Sequence, residues 1–163
     1  MQNYRRLLFA LLSLITLSGM QAVQAESMVV IVAADDPRER IDVNELASIY
    51  RRKVRFDSDG RPLVPVNLPA THPLRRVFSL ALFGRLPEDL QEYWNGQYFH
   101  GISPPLVLES EEAVLRFVGS TPGAIGYVLK CNADKRVKAL VSLSVPNEGN
   151  TVSHDCRETA SGQ

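Results

Sequence analysis

The run Met28-Val29-Val30-Ile31-Val32-Ala33-Ala34 is apolar at every position and rich in β-branched residues. It predicts a strand buried on both faces, ended by Asp35-Asp36-Pro37. Asp42 then precedes a helical stripe of Leu46, Ile49 and Tyr50, and Asp42 with Glu45 has the spacing of a capping box. The basic run Arg51-Arg52-Lys53-Val54-Arg55 closes this helix, and Asp57-Ser58-Asp59-Gly60 reads as a turn. Leu63-Val64-Pro65-Val66 is the next predicted strand, with Pro65 placing it at a sheet edge or an irregular end.

Three helices follow in the pattern. Pro73 suits a first helical position, Leu74, Val77, Phe78, Ala81 and Leu82 recur at helical spacing, and Gly84 stops the helix. Pro87 opens a second, with Leu90, Tyr93 and Trp94 on its apolar side. After Gly101 and Pro104-Pro105, Ser110 caps a third carrying Ala113, Val114, Phe117 and Val118. Pro122-Gly123 turns the chain into the short strand 124–128, and 137–145 is a further strand with partial alternation. Strands alternating with helices predict an α/β sandwich with some parallel pairing.

The first 25 residues read differently. Arg5 and Arg6 precede the apolar run Leu7 to Leu17, which is shorter than the roughly 20 residues that span a bilayer. Val23 and Ala25 occupy the −3 and −1 positions of an A-x-A-like cleavage site. This is the pattern of a secretory signal over residues 1–25, with Glu26 opening the mature chain. The expected organisation is therefore a signal at 1–25, one α/β domain at 26–146 and a polar tail at 147–163. In the mature chain sixteen basic residues face eighteen acidic ones, so there is no basic excess to neutralise nucleic-acid phosphates. In an oxidising compartment the two cysteines, Cys131 and Cys156, read first as one disulfide. The rival reading is a thiol nucleophile beside His154.

Chemistry-bearing motifs are few. A phosphate-cradling G-x-x-x-x-G-K-[ST] loop, a G-x-G-x-x-G turn and a G-x-S-x-G elbow are all lacking. His72, His100 and His154 share no metal-ligand spacing, so neither a metal nor a cofactor is expected, and no catalytic residue is assigned. One segment has a specific physical use. Asn67-Leu68-Pro69-Ala70-Thr71-His72-Pro73-Leu74-Arg75-Arg76 joins a strand to a helix N-terminus, where free N–H groups and the helix dipole favour an anion. Thr71 and His72 supply side-chain donors, and Arg75 or Arg76 a cation one turn in. The same residues also serve as a plain helix cap with both arginines in water. The Arg51 to Arg55 cluster has a similar double reading: a complement to the helix dipole, or an attractor of anionic partners.

Taken in order, these elements resemble the half-length, type 2 periplasmic phosphate-binding-protein-like solute receptors. The likeness runs from about residue 28 to 145. It rests on Val29 to Ala33, the helix Val43-Asn44-Glu45-Leu46-Ala47-Ser48-Ile49-Tyr50, Lys53, and Asp59-Gly60. It continues through Leu63 to Val66, Arg76-Val77-Phe78 and Trp94, and is most specific at Pro122-Gly123-Ala124-Ile125-Gly126-Tyr127-Val128. Arg52 stands where the family usually has glycine, and Asn67 and Ala70-Thr71-His72 stand near the family's arginine and Ser-Gly-Thr. The resemblance implies a single receptor lobe with a mixed sheet flanked by helices. It implies a periplasmic, non-enzymatic module that binds phosphate or a similar small oxyanion through Asn67, Thr71, His72 and Arg75. The implied protein partner is a membrane transporter of the ABC class or a sensor. The alternative is an interaction protein that kept the receptor fold and binds no ligand.

Overall fold

A computed structural model describes residues 27–144. The expected apolar strand is β1 (Ser27–Ala33), buried from Met28 onward. Helix α1 (Val43–Tyr50) is capped by the Asp42 carboxylate, which accepts from the Asn44 N–H at 2.8 Å. The remaining elements are β2 (Val64–Asn67), α2 (Pro73–Phe83), α3 (Gln91–Tyr98), β3 (Leu106–Val107), α4 (Glu111–Ser120), β4 (Ala124–Leu129) and β5 (Val137–Ser144). Gly84 closes α2 in the left-handed conformation, and the Ser110 hydroxyl caps α4 by accepting from the Ala113 N–H. The helix expected from Pro87 is a short 3₁₀ turn at 88–90 followed by α3, and α3 itself buries no residue.

The five strands form one mixed sheet in the order β3-β2-β4-β1-β5. β2 runs parallel to β3 and β4, while β1 runs antiparallel to β4 and β5. The ends of β2 and β4 that lead into Leu68 and Lys130 therefore share one end of the sheet, and the end of β1 at Ala33 lies at the other. β2 is an inner strand, so of the edge and the irregular end that Pro65 suggested the edge is corrected. Val64 donates its N–H to Gly123 O, so the N–H that Pro65 lacks would point to the β3 side. Pairing on that side begins only at Val66↔Leu106, so the missing donor leaves no gap in the ladder.

Two close approaches fix the packing. A Cβ on Gly126 would lie 2.6 Å from Val114 Cγ1 and 2.9 Å from Val118 Cγ2, so glycine lets α4 lie directly on β4. Gly123, at φ +78°, passes so close to Pro62 O that any side chain there would clash. Across the sheet, Tyr50, Phe78 and Tyr127 form an aromatic core. The Phe78 and Tyr127 rings stack at 3.9 Å between centroids, and Tyr50 meets Phe78 edge-on at 4.7 Å. The Tyr50 hydroxyl lies 3.0 Å from Val66 O and 3.1 Å from Ile125 O, joining β2 to β4 from α1.

Candidate functional site

β2 delivers Asn67 to one end of the sheet, and six residues later α2 begins. The turn between them is closed by local bonds. His72 donates its backbone N–H to Pro69 O at 2.9 Å, and its ring Nδ1 accepts from the Leu74 N–H at 3.2 Å. An accepting Nδ1 leaves the imidazole proton on Nε2. His72 O in turn accepts from the Arg76 N–H at 3.2 Å. Two of the amide donors expected for an anion are thus used within the protein, and Pro73 has none. Thr71 sits exposed on the turn with no hydrogen-bond partner among the described residues.

The side chain that reaches inward is Arg75. It is only 7% exposed and donates from Nη1 to Asn67 Oδ1, which is itself buried. Arg76, one residue on, points outward to Glu88 at 2.9 Å. Tyr127 completes the cluster: its hydroxyl accepts from the Leu68 N–H at 3.2 Å and lies 3.4 Å from Asn67 Oδ1. Among the described residues no carboxylate lies within ion-pair distance of Arg75. A guanidinium does not give up its proton, so Arg75 is a buried positive charge whose direct neighbours are an amide and a phenol, with the charge of the buried Glu111 also reaching that phenol. One turn further along the same face, Ser79 is fully buried and its Oγ has no hydrogen-bond partner among the described residues.

Burial sets the protonation of this region. Desolvation pushes the Tyr127 phenol up to about 12, against the opposing charge of Arg75. Desolvation, with Tyr127 nearby, likewise raises Tyr50 well above its ordinary value. Both phenols are therefore neutral hydrogen-bonding groups at physiological pH. The N-terminus of α4 faces the same end of the sheet. There Glu111 is buried, with Oε2 accepting from the Leu129 N–H at 2.7 Å and from Asn132 Nδ2 at 3.1 Å.

Of the four residues singled out in the sequence, Asn67 and Arg75 are brought into contact, while Thr71 and His72 lie on the turn beside them. Tyr127 and Ser79 were not anticipated. Tyr127 lay in a stretch read as a strand and as the most specific part of the family resemblance, with no site role, and Ser79 interrupts an otherwise apolar helical stripe. Cys131 lies exposed in the short turn at 130–132, and its expected partner Cys156 is outside the described residues, as is His154. Among the described residues no three His, Cys, Asp or Glu gather as a metal site. None of the described helices is long and apolar enough to cross a membrane.

No family profile matches the chain, and no curated protein matches it in sequence. Solved structures do match in shape. A Clostridium perfringens protein described as a candidate phosphate ABC transporter substrate-binding protein, solved with bound phosphate, aligns over 71% of this chain and 44% of its own, with TM-score 0.59 and 18% identity. An ABC-type phosphate transport receptor from Vibrio cholerae aligns over 71% and 45%, with TM-score 0.56 and 17% identity. PstS from Borrelia burgdorferi aligns over 77% and 49%, with TM-score 0.55 and 16% identity. The chain has a half-length phosphate-binding-protein-like fold. It spans less than half the length of each of these relatives. The first two are described by binding and transport roles rather than catalytic ones. In this half-length fold the strand-to-helix junction between β2 and α2 carries Arg75 at its centre.

Proposed function

We propose that the protein is an exported, non-catalytic oxyanion-binding module of the solute-receptor type, serving a membrane transporter or sensor. The observation that carries this reading is Arg75, a buried cation in the first turn of a helix with no carboxylate within ion-pair distance among the described residues. A buried charge left unbalanced is destabilising, and an anion at this junction would meet both the guanidinium and the positive end of the α2 dipole. Phosphate or a similar small oxyanion fits that chemistry, with Thr71 and His72 Nε2 as further donors. The shape-related phosphate receptors support the same class of ligand. Because one lobe leaves such an anion largely wet, binding is expected in the millimolar range, about −4 kcal/mol.

Export to the periplasm is supported by the signal pattern at residues 1–25, and the tail is proposed to be tied back by a Cys131–Cys156 bridge. A second reading, an interaction protein that keeps the fold without a ligand, draws on the cap itself. The Leu74 and His72 amides are already satisfied by the protein. A thermal-shift screen with inorganic phosphate and sulfate separates the two. A rise in Tm that grows with the logarithm of anion concentration, and is absent in Arg75→Met, supports the binding module. A flat response in both proteins leaves the interaction protein.

A further inference from the structure

A second concentration of positive charge lies away from the β2–α2 junction, where β2 begins. A groove of about 320 Å³ is bounded there by Arg52 and Arg55 on one side and by the loop from Gly101 to Pro105 on the other, with Val64 and Pro65 as its floor. No acidic residue lines it. Arg52 and Arg55 are both registered on Leu63, a buried residue. The Arg52 guanidinium donates from Nη1 to Leu63 O at 2.9 Å, and Arg55 O accepts from the Leu63 N–H at 2.8 Å. Neither arginine has an ion-pair partner among the described residues. Burial and the charge of Arg55 together push the Arg52 guanidinium below its ordinary value, as expected when two cations share a site without an anion.

The backbone adds a separate observation. Arg52 is the one non-glycine residue with positive φ among the described residues, at +60°. A β-carbon is disfavoured there and glycine is the natural occupant. Arg52 is the left-handed residue of the turn that ends α1, where Lys53 and Val54 return their N–H groups to Ser48 O, and that turn sets its side chain at the wall of the groove. The other walls, Ile102, Pro104, Pro105 and Pro65, are apolar and conformationally stiff, and the volume lies at the low end of small-molecule sites.

We infer that this groove is a binding site for a small organic oxyanion, whose carboxylate or phosphate group is held by Arg52 and Arg55 while its apolar body packs on Ile102 and the prolines. It is separate from the Arg75 junction and stands whether or not that junction binds an anion. The test is an amide NMR titration of the mature protein with phenyl phosphate, benzoate and benzyl alcohol. Phenyl phosphate distinguishes a phosphate preference from the carboxylate preference that benzoate reports. The expected result is saturable shifts at Ile102, Ser103 and Leu106 with one or both anions. Arg52→Gly combined with Arg55→Gln should weaken this at least tenfold. Glycine relieves the strained backbone, so the double variant should keep the wild-type Tm to within a few degrees. Its amides at Leu68 and Arg75 should still report the other site as the wild type does. Equal shifts with benzyl alcohol, shifts undiminished in the double variant, or no localised shifts at tens of millimolar anion would each overturn the inference.

Discussion

Two arginine clusters at opposite ends of the sheet are answered differently. Beneath the end of β1, a cavity of about 310 Å³ is lined by Asp36, Arg38, Asp57 and Arg61. There Arg38 meets Asp36 through two bonds of 2.7 and 2.6 Å, and Arg61 reaches Asp57 at 2.8 Å and Asp59 at 2.7 Å. Arg38 keeps one nitrogen, Nη1, without a hydrogen-bond partner, but its charge is balanced. At the other end Arg75 is more deeply buried, bonds to the neutral Asn67 beside Tyr127, and has no carboxylate within ion-pair distance among the described residues, while the charge of the buried Glu111 also reaches Tyr127. A balanced pair is a finished piece of structure; an unbalanced buried cation is a demand for an anion. The proposed anion site at Arg75 rests on this difference.

The largest expected effect is the one that would break this contrast outright. Arg75→Met keeps the volume and removes the charge, so the anion-free protein should gain about 1–4 kcal/mol by chemical denaturation. A loss of that size would mean that Arg75 is already satisfied. Arg38→Met should do the reverse, costing about 1–2 kcal/mol, because it strands the Asp36 carboxylate. Opposite signs in the same denaturation assay sharpen the comparison, and equal signs erase it. Tyr127→Phe removes a hydroxyl bonded to the Leu68 N–H and close to Asn67, and should cost about 1 kcal/mol.

The smallest effects lie in the pH dependence, and they differ in sign. Burial would raise the Asp36 carboxyl, but its bonds to Arg38 and the charge of that guanidinium bring it below its ordinary value on balance. An acid whose folded pKa is lowered contributes stability above its unfolded pKa, lost as pH falls through the folded one. Asp36→Asn should therefore cost most at neutral pH, and its cost should shrink in acid as the folded carboxyl takes up its proton below the ordinary carboxylate range. Tyr127 is raised by burial to about 12. Its contribution is intact below the unfolded value near 10 and is lost as pH climbs from there towards 12. Tyr127→Phe should flatten that alkaline limb, read by urea denaturation across the range.

Much of this was legible in the residues, unevenly. An unbroken apolar run gave β1, and Asp42, Ser110 and Gly84 marked helix ends because cap chemistry is local. Burial of β1 could be read, but its antiparallel pairing could not, since an apolar run carries no direction. A two-residue strand such as β3 leaves no period to detect. Pro65 misled because the rule that moves proline to an edge concerns the missing donor, and here that donor would face the unpaired start of β3. Arg75 and Arg76 were equivalent at the level of sequence. What separates them is that Arg75 shares a face with Phe78, Ser79 and Leu82, so helix packing draws it inward while Arg76 reaches Glu88. Tyr127 depends on a contact 60 residues apart along the chain, beyond any local pattern.

The central claim is that Arg75 is a cation awaiting an anion. Its most direct test is an NMR titration of the mature protein with phosphate and sulfate that follows the Arg75 Nε–H together with the Thr71, Leu74 and Arg75 amides. The account predicts that the Arg75 side chain and these amides shift together and saturate in the millimolar range, more weakly as salt is added, and that the response disappears in Arg75→Met. If tens of millimolar anion leave the Arg75 Nε–H and its neighbours unmoved, the junction is a structural cap around an internal arginine and the binding account is wrong.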